Sequence, residues 1–514
     1  MLRNIVEEAF RIANIVSSFG EVVGGSRKEL ALLNIIRGFL DGYGDDVYLD
    51  PVPVTSWEES YCFIDIRGET YRCAVQPPAQ IDVCEEILQN NITILSAAEI
   101  ITKNLSYSSI YDKIVIVETP RDPDDIATIA RILSLYSPRL IIFSDVHNTI
   151  RRIVVLENLV ALYEEASPIK TPVIVVPFSV ARKIVEFGNA EICAKSSTAQ
   201  SYGYNLIANI HGNGDRRIYV TAHHDHWLSG ASDNVLGVAI AIALFRHLSR
   251  FKLLKKGLSL VLFTAEEGFP QKLNSFYWLV GSKHFVSKYF HKLFDEVETV
   301  INIDVVYSSN IVVSTSNPIL ESVLMKNGFK LKGDDIVFDS FSFSIVGIPS
   351  LTINSFQDAL RDGVYHSELD VVESVNSEAV SRYMEVLMNI LNIVDENELS
   401  NLNLVENAIA SKIVSSAPNL DVIESLYLFL KALEKCGVVN RKMFLKLLSR
   451  IALKTYVGMD IGEKLGVREF TKFLMCEDNV YSIPVRIVKT IDECYRDYRF
   501  NIDLLRNIIC AVCK

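Results

Sequence analysis

The sequence predicts an α/β fold with a mixed, mostly parallel central sheet flanked by helices. Over residues 193–398, helical patterns alternate with short apolar runs, namely IYVTA, LSLVLFTA, TVINIDVV, NIVVST and SLTIN. Near-continuous apolar runs are typical of parallel strands that are covered on both faces. Polar residues follow most of these runs, and open α/β sheets bind ligands at the carboxyl ends of their strands. Residues 193–398 are therefore expected to form the functional domain.

The other regions are defined by their own patterns. Residues 1–50 read as two amphipathic helices, with Ser26 as the N-cap of the second, and are expected to pack on the functional domain. Residues 51–192 contain the strand-like runs KIVIV, LIIF and VIVV and the helical run DDIATIARILSLY, which predict a small inserted α/β unit. Residues 399–514 are patterned as helix, which predicts an all-helical C-terminal domain.

Composition limits the classes of partner. The 514 residues carry a net charge of −12, which argues against a nucleic-acid or anionic-membrane partner, since both require a basic face. The longest apolar run, VLGVAIAIALF, is too short to span a bilayer and reads as a buried core helix. The sequence leaves the oligomeric state open, a homo-oligomer included.

Nine cysteines at irregular spacing do not resemble a disulfide framework. The expectation is a cytoplasmic protein with reduced thiols. Cys510 and Cys513 form a C-x-x-C motif, but no second pair lies nearby, so a helix-face coincidence is favoured over a zinc site.

The strand ends of the functional domain carry metal-ligand residue types. The run YVTAHHDHW holds three of the nine histidines, and the later strands are followed by or contain acidic residues in the motifs SDN, EEG, NID and YHSELD. Because parallel strands end at one rim, these side chains are expected to converge. Nitrogen and carboxylate ligands without thiolate favour zinc, with cobalt or manganese as alternatives. The number of candidates exceeds the needs of one ion and suits two ions about 3.5 Å apart that share a carboxylate.

The order H-x-D, S-D-N, E-E-G, N-x-D and Y-H-x-x-x-D resembles the co-catalytic zinc aminopeptidase family over residues 195–395. Relatives in that family include leucyl-type aminopeptidases, glutamate carboxypeptidase, glutaminyl cyclases and the transferrin receptor. The segment ending in G-I-P before SLTIN is also similar to the family. Residues 51–192 resemble the protease-associated domain that many members insert before the H-x-D strand.

The resemblance implies the metal ligands position by position. His223, Asp233 and Asp304 would bind one zinc ion, and Asp233, Glu267 and His366 would bind the second. Asp233 would therefore bridge the two ions.

The resemblance also implies two residues that act without binding metal. Glu266 would be the general base, and Asp225 would be the carboxylate that fixes the tautomer of His223. His224 and His226 are expected to be loop or supporting residues.

Departures from the family pattern leave two points open. An aromatic insertion, FPQKLNSFYWLV, separates E-E-G from G-S, and it either shapes a substrate pocket or packs on the neighbouring helix. F-D-S replaces the family's S-D-H, so Asp339 is given no role.

The expected function is a di-zinc metallopeptidase that removes N-terminal residues from peptides. Asp362 and Glu368 are candidates to pair with a free α-amine. The alternatives are a carboxypeptidase or other amidase, a glutaminyl-cyclase-like acyltransferase, and a non-catalytic receptor on a peptidase fold. The receptor is disfavoured because none of the implied ligands is replaced.

Overall fold

A computed structural model describes most of the chain up to residue 397 and parts of the remainder. The described residues are 2–101, 105–120, 123, 125–157, 165–251, 253–274, 276–397, 399, 406–408, 410–411, 420–437, 473–474, 489–490, 502–504, 506–510 and 513. Much of the predicted C-terminal helical domain, including RKMFLKLLSRIAL, lies outside these residues.

The central sheet confirms the predicted mixed, mostly parallel α/β fold. Its inner strands run β11-β10-β13-β16, and each neighbouring pair among them is parallel. Antiparallel strands complete both sides, with β9 against β11 and β14 against β16. The strands of the chain are β1 (Asp46–Ile66), β2 (Glu69–Arg72), β3 (Ala74–Val75), β4 (Ile81–Leu88), β5 (Ile92–Leu95), β6 (Ile114–Glu118), β7 (Leu140–Asp145), β8 (Val173–Pro177), β9 (Asn189–Ile210), β10 (Arg217–His223), β11 (Gly257–Phe263), β12 (Phe269–Pro270), β13 (Val297–Ile303), β14 (Val312–Ser314), β15 (Leu331–Lys332), β16 (Ser350–Asn354), β17 (Phe473–Leu474) and β18 (Lys489–Thr490).

Helices cover both faces of this sheet. The principal helices are α1 (Leu2–Ser17), α2 (Arg27–Leu40), α3 (Ala97–Ile101), α4 (Tyr107–Ile110), α5 (Asp125–Ser134), α6 (Phe178–Phe187), α7 (Leu236–Phe251), α8 (Val280–Glu296), α9 (Pro318–Lys326), α10 (Ser340–Ser344), α11 (Phe356–Arg361), α12 (Ser377–Glu396) and α13 (Leu420–Leu433). Helices α1, α7 and α12 share one hydrophobic core with alternate residues of β10. Helix α8 packs on the opposite face through Phe285, Val286 and Leu293. This two-sided cover explains why the inner strands are apolar throughout.

Two local predictions agree with the structure. Ser26 caps α2, because its side chain accepts a hydrogen bond from the Glu29 amide. The apolar run within α7 is a core helix: residues 231–251 are long and apolar enough to cross a membrane, but they are mostly buried inside the protein.

Two long strands connect the central sheet to a second α/β unit. Strands β1 and β9 pair antiparallel from Asp46 opposite Asn209 to Asp65 opposite Glu191. The chain enters residues 67–188 from the end of β1 and comes back into β9. Both predicted boundaries, 51 and 192, therefore fall inside these two strands. We call residues 67–188 the inserted unit.

The inserted unit has its own sheet, in the order β3-β8-β7-β6-β5, with β5 to β8 parallel. Helix α5 packs against this sheet through Ile126, Ile129 and Leu133. The likeness of this unit to a protease-associated domain stays a prediction.

The C-terminal segments that the structure describes contact the main core. Leu426, Phe429 and Leu433 of α13, together with Ile502 and Ile509, belong to the same hydrophobic cluster as α7 and α12. These C-terminal residues therefore pack with the helices that cover one face of the central sheet.

The prediction of reduced thiols is wrong for six cysteines. Disulfides join Cys62 to Cys73, Cys84 to Cys193, and Cys436 to Cys513, and Cys510 is free and exposed. Cys84 and Cys193 are 109 residues apart in sequence but face each other on the paired strands β4 and β9, which spacing alone does not reveal. Disulfides persist in oxidising compartments and in the cytosol of hyperthermophiles. Reduced thiols therefore no longer support a cytoplasmic location, which stays a prediction.

Candidate metal centre

Three buried residues from different elements form the first ligand group. His223 ends β10, Asp233 lies in the turn before α7, and Asp304 directly follows β13. The Nε2 atom of His223 lies 3.2 Å from Oδ1 of Asp233 and 3.3 Å from Oδ1 of Asp304. These three residues could hold one metal ion.

The second group shares Asp233 with the first. The Nε2 atom of His366 lies 3.4 Å from Oδ2 of Asp233 and 2.6 Å from Oε1 of Glu267. The candidate ligand atoms of each group lie within 4.8 Å of one another. Asp233 thus directs one carboxylate oxygen toward each group, which is the geometry of a bridging ligand.

Sheet register explains why the residues meet. His223 is opposite Phe263 of β11, and Thr221 is opposite Asn302 of β13. The residues that follow Phe263 and Asn302 therefore leave the sheet at the same rim as His223. Gly281 allows close packing there, since a side chain at this position would lie 2.3 Å from the carbonyl oxygen of Thr264, just before the two glutamates.

Backbone carbonyls fix the tautomer of both histidines. Nδ1 of His223 donates to the carbonyl of Asp225 at 3.0 Å, and Nδ1 of His366 donates to the carbonyl of Arg152 at 3.2 Å. Because a carbonyl oxygen only accepts, the proton of each neutral ring lies on Nδ1. Each Nε2 is then left with its lone pair facing the carboxylates, as metal-bound histidines require.

The role predicted for the Asp225 side chain is wrong. Its carboxylate lies 3.9 Å from Nδ1 of His223, beyond hydrogen-bond distance. It accepts instead from the backbone amides of Glu266 and Glu267, at 3.0 Å and 3.1 Å. Asp225 therefore fixes His223 through its main chain and orients the two glutamates through its side chain.

Two further residues support the ligands. The Asp370 carboxylate accepts from the amides of Ser232 and Asp233, at 2.7 Å and 3.2 Å, and so fixes the turn that carries the shared aspartate. Nε1 of Trp227 donates to Oε2 of Glu267 at 3.0 Å, which leaves Oε1 directed at His366. Sequence reasoning missed the part of Trp227, although its place directly after the histidine cluster was a signal.

Glu266 lies beside the ligands but belongs to neither group. Its Oε2 is 4.0 Å from Nε2 of His223, and the residue is buried. Burial raises the pKa of its carboxyl, and the negative charges of Glu267 and Asp304 raise it further, against the opposing effect of His223. A buried carboxyl with a raised pKa is a suitable proton acceptor for general base catalysis.

The chemistry of the residues fits divalent metal ions. Two imidazoles with free Nε2 lone pairs and three carboxylates face one another, with no thiolate in either group. Burial raises the pKa of Asp304, and the negative charge of Asp233 adds to that effect. A concentration of buried carboxylates is stabilised by cations, so the donor set matches zinc, cobalt or manganese.

Asp339 lies closer to this centre than the sequence suggested. It is buried, and burial, with smaller contributions from Asp304 and Asp225, raises the pKa of its carboxyl to about 7 against the opposing effect of His223. Although we gave it no role from sequence, the structure places it within electrostatic reach of the ligands.

The aromatic insertion after Glu267 packs rather than lining an open pocket. Phe269 is fully buried against Trp227 and Tyr277, and Phe276 and Trp278 pack together at 4.3 Å between ring centroids. Of the two interpretations of this segment, packing on its neighbours is the one that the structure supports.

The remaining candidates lie outside both ligand groups. Nε2 of His224 contacts Oε1 of Glu29 at 3.0 Å, and His226 donates to the carbonyl of Gly20 at 2.9 Å. Asp362 contacts the guanidinium of Arg361, and Glu368 lies on the surface near Arg72. His224 and His226 thus connect the loop after β10 to residues near the N-terminus of the chain.

Comparison with known proteins agrees with this arrangement. Residues 205–391 match the model of peptidase family M28. The zinc aminopeptidase BSAP from Bacillus subtilis superposes with a TM-score of 0.57 at 16% identity, over 76% of this chain and 94% of that one. A peptidase M28 precursor from Shewanella amazonensis superposes with a TM-score of 0.56 at 16% identity, over 77% and 96%. No curated protein matches in sequence.

At these identities the superpositions show the fold, and the family match identifies the region that carries the ligand groups. All five candidate ligands lie within the matched residues. The resemblance inferred from the sequence motifs is therefore confirmed for the central domain, since residues 205–391 match the model of peptidase family M28.

Proposed function

We propose that this protein is an aminopeptidase that uses two zinc ions. The observation that carries the proposal is the pair of ligand groups joined by Asp233 at the rim of the domain that matches peptidase family M28. A non-catalytic receptor on this fold would be free to lose ligands, whereas here both groups are complete and each histidine presents Nε2.

The residues around the metal positions suit peptide hydrolysis. Bound zinc ions supply Lewis acidity, which polarises a carbonyl group and makes a water molecule more acidic. Glu266, beside His223 of the first group, accepts the proton of the attacking water and returns it to the leaving amine. Asp225 accepts a hydrogen bond from the backbone amide of Glu266, so that the Glu266 carboxylate keeps its position beside His223.

The charges near the rim favour a substrate's amino end. A carboxypeptidase needs a cation to pair with the terminal carboxylate. Arg361 is held by Asp358 and Asp362, at 2.6 Å and 2.8 Å, and Arg72 lies 3.5 Å from Glu368. These two arginines are thus matched by carboxylates, which disfavours their pairing with the terminal carboxylate of a substrate.

A substrate panel tests the proposal. Peptides with free amino ends, N-acetylated peptides and peptides with amidated carboxyl ends are assayed with zinc, cobalt or manganese. Release of N-terminal residues from free-amine and C-amidated peptides, with little action on N-acetylated ones, is the expected result. Comparable cleavage of N-acetylated peptides from the carboxyl end would replace the aminopeptidase with a carboxypeptidase. Cyclisation of N-terminal glutamine without hydrolysis would indicate a glutaminyl-cyclase-like acyltransferase.

A further inference from the structure

We propose that the inserted unit positions His366 and thereby sets the affinity of the second metal position. The observation is a set of contacts between residues 150–152 of the inserted unit and residues 363–368 of the loop that carries this ligand. The inference rests on the metal centre of the proposed function. It assigns Arg151 and Arg152 as positioning residues.

The two segments exchange main-chain hydrogen bonds on both sides of the ligand. The Arg152 amide donates to the His366 carbonyl at 2.9 Å, and the Glu368 amide donates to the Ile150 carbonyl at 3.1 Å. Arg151 and Ser367 form an antiparallel bridge between them. In the same segment, the Arg152 carbonyl accepts from Nδ1 of His366 and so fixes both the tautomer and the direction of Nε2.

The Arg151 side chain holds the loop of residues 363–368 through two main-chain carbonyls. Its guanidinium donates to the carbonyl of Tyr365 at 2.6 Å and to the carbonyl of Gly363 at 3.1 Å. Asp145 of β7 holds the same guanidinium at 2.5 Å, and both side chains are almost fully buried. The core of the inserted unit is thus connected to the ligand loop through one buried guanidinium.

The Arg152 side chain anchors the carbonyl that contacts His366. It pairs with Glu21 at 2.9 Å and with Glu59 at 2.7 Å, and it is buried. Glu21 lies in the N-terminal segment and Glu59 on β1, so two other parts of the chain fix this one residue. The main chain of residue 152 therefore has little freedom to move away from the histidine.

The ligand loop requires such support. His366 has a φ of 54°, in the left-handed region that a residue with a side chain rarely adopts. Residues in this region persist when the surrounding structure holds them there. Without the contacts to residues 150–152, the backbone at His366 is expected to relax and to carry Nε2 away from Glu267 and Asp233.

The first metal position has no comparable dependence among the described residues. His223 is fixed by the Asp225 carbonyl, Asp233 by Asp370, and Asp304 has Asn302 as a neighbour at 3.4 Å. All of these partners belong to the central domain. Loosening the inserted unit should therefore affect one metal position and spare the other.

The experiment measures zinc bound per chain during dialysis against increasing chelator concentrations. Arg151→Lys retains a cation beside Asp145 but loses the forked contact to two carbonyls. Asp145→Asn is a milder second variant, since it weakens the hold on Arg151 without removing the guanidinium. Arg139→Lys is the matched control, because Arg139 pairs with Asp112 on the exposed side of the inserted unit. His366→Ala shows the profile of direct ligand loss.

Wild type and Arg139→Lys should retain two zinc equivalents at a chelator concentration where Arg151→Lys retains one. The expected weakening is about 10- to 100-fold, the usual effect of removing a residue that orients a metal ligand. The Arg151→Lys profile should approach that of His366→Ala, and Asp145→Asn should lie between it and wild type.

Two zinc equivalents of unchanged affinity in both Arg151→Lys and Asp145→Asn would overturn the inference, as would simultaneous loss of both ions from folded protein. If Arg151→Lys does not fold, Asp145→Asn decides between these outcomes. A wild type that never binds two zinc ions would instead refute the proposed function, so the two failures are distinguishable.

Discussion

Glu266 and Glu267 are neighbours in sequence but face different surroundings. Glu267 is oriented by Trp227 and contacts His366 at 2.6 Å, whereas Glu266 belongs to neither ligand group and its pKa is raised by burial. The Asp225 carboxylate accepts hydrogen bonds from the backbone amides of both glutamates and so fixes each side chain in its own surroundings. Under the proposed function, Glu267 would bind metal and Glu266 would exchange a proton.

Replacing Glu266 by glutamine should separate catalysis from metal binding. Glutamine has nearly the same shape but cannot accept a proton, so turnover should fall by about 10²–10⁴, the scale of general base catalysis. Zinc content should stay at the wild-type level, as measured by atomic emission. Glu86→Gln, on the exposed side of β4, is the control and should change neither quantity. Loss of zinc from Glu266→Gln would mean that Glu266 is a ligand.

Residue types in sequence could predict the composition of the site but not its supports. Histidines and acids at successive strand ends indicate metal chemistry, because parallel strands end at one rim. The sequence does not indicate that the main-chain carbonyls of Arg152 and Asp225 contact the two histidines, since any residue type supplies a carbonyl. The burial of Asp339 depends on packing that its own local motif does not encode.

At the scale of elements, apolar patterning was informative about helices and strands, and less so about where units end. The core helix α7 and the N-cap of α2 follow from local sequence. Strands β1 and β9 cross from the central sheet toward the inserted unit, so no break in composition marks the boundary. The Cys84–Cys193 disulfide escaped prediction for a related reason, because β4 and β9 pair across 109 residues of sequence.

The Cys84–Cys193 disulfide should stabilise the base of the inserted unit. Closing a loop of this length restricts the unfolded chain, so Cys84→Ser/Cys193→Ser should lower the free energy of unfolding by about 2–4 kcal/mol. Chemical denaturation measures that change, and peptide mapping without reduction identifies the cross-linked peptides. Cys510→Ser removes a free, exposed thiol and is the control. Free thiols at Cys84 and Cys193 in the purified protein would contradict the expectation.

At the scale of the whole molecule, three parts of the chain meet at one rim. The central domain supplies all five candidate ligands, the inserted unit holds the loop of His366, and the N-terminal segment pairs with the loop of the histidine cluster through Val22 and His226. The fold class was predictable because strand and helix periods alternate regularly. The meeting of distant segments was not, because it depends on the path of the long β1–β9 pair.

The most direct test of the central claim is zinc stoichiometry in wild type and in Asp233→Ala. Because Asp233 directs one carboxylate oxygen to each ligand group, wild type should bind two zinc ions per chain, and the variant should lose both under the same dialysis conditions. Atomic emission on folded, size-purified protein measures both values. One zinc ion or none in wild type, or two zinc ions retained in Asp233→Ala, would contradict a two-metal centre bridged by this residue.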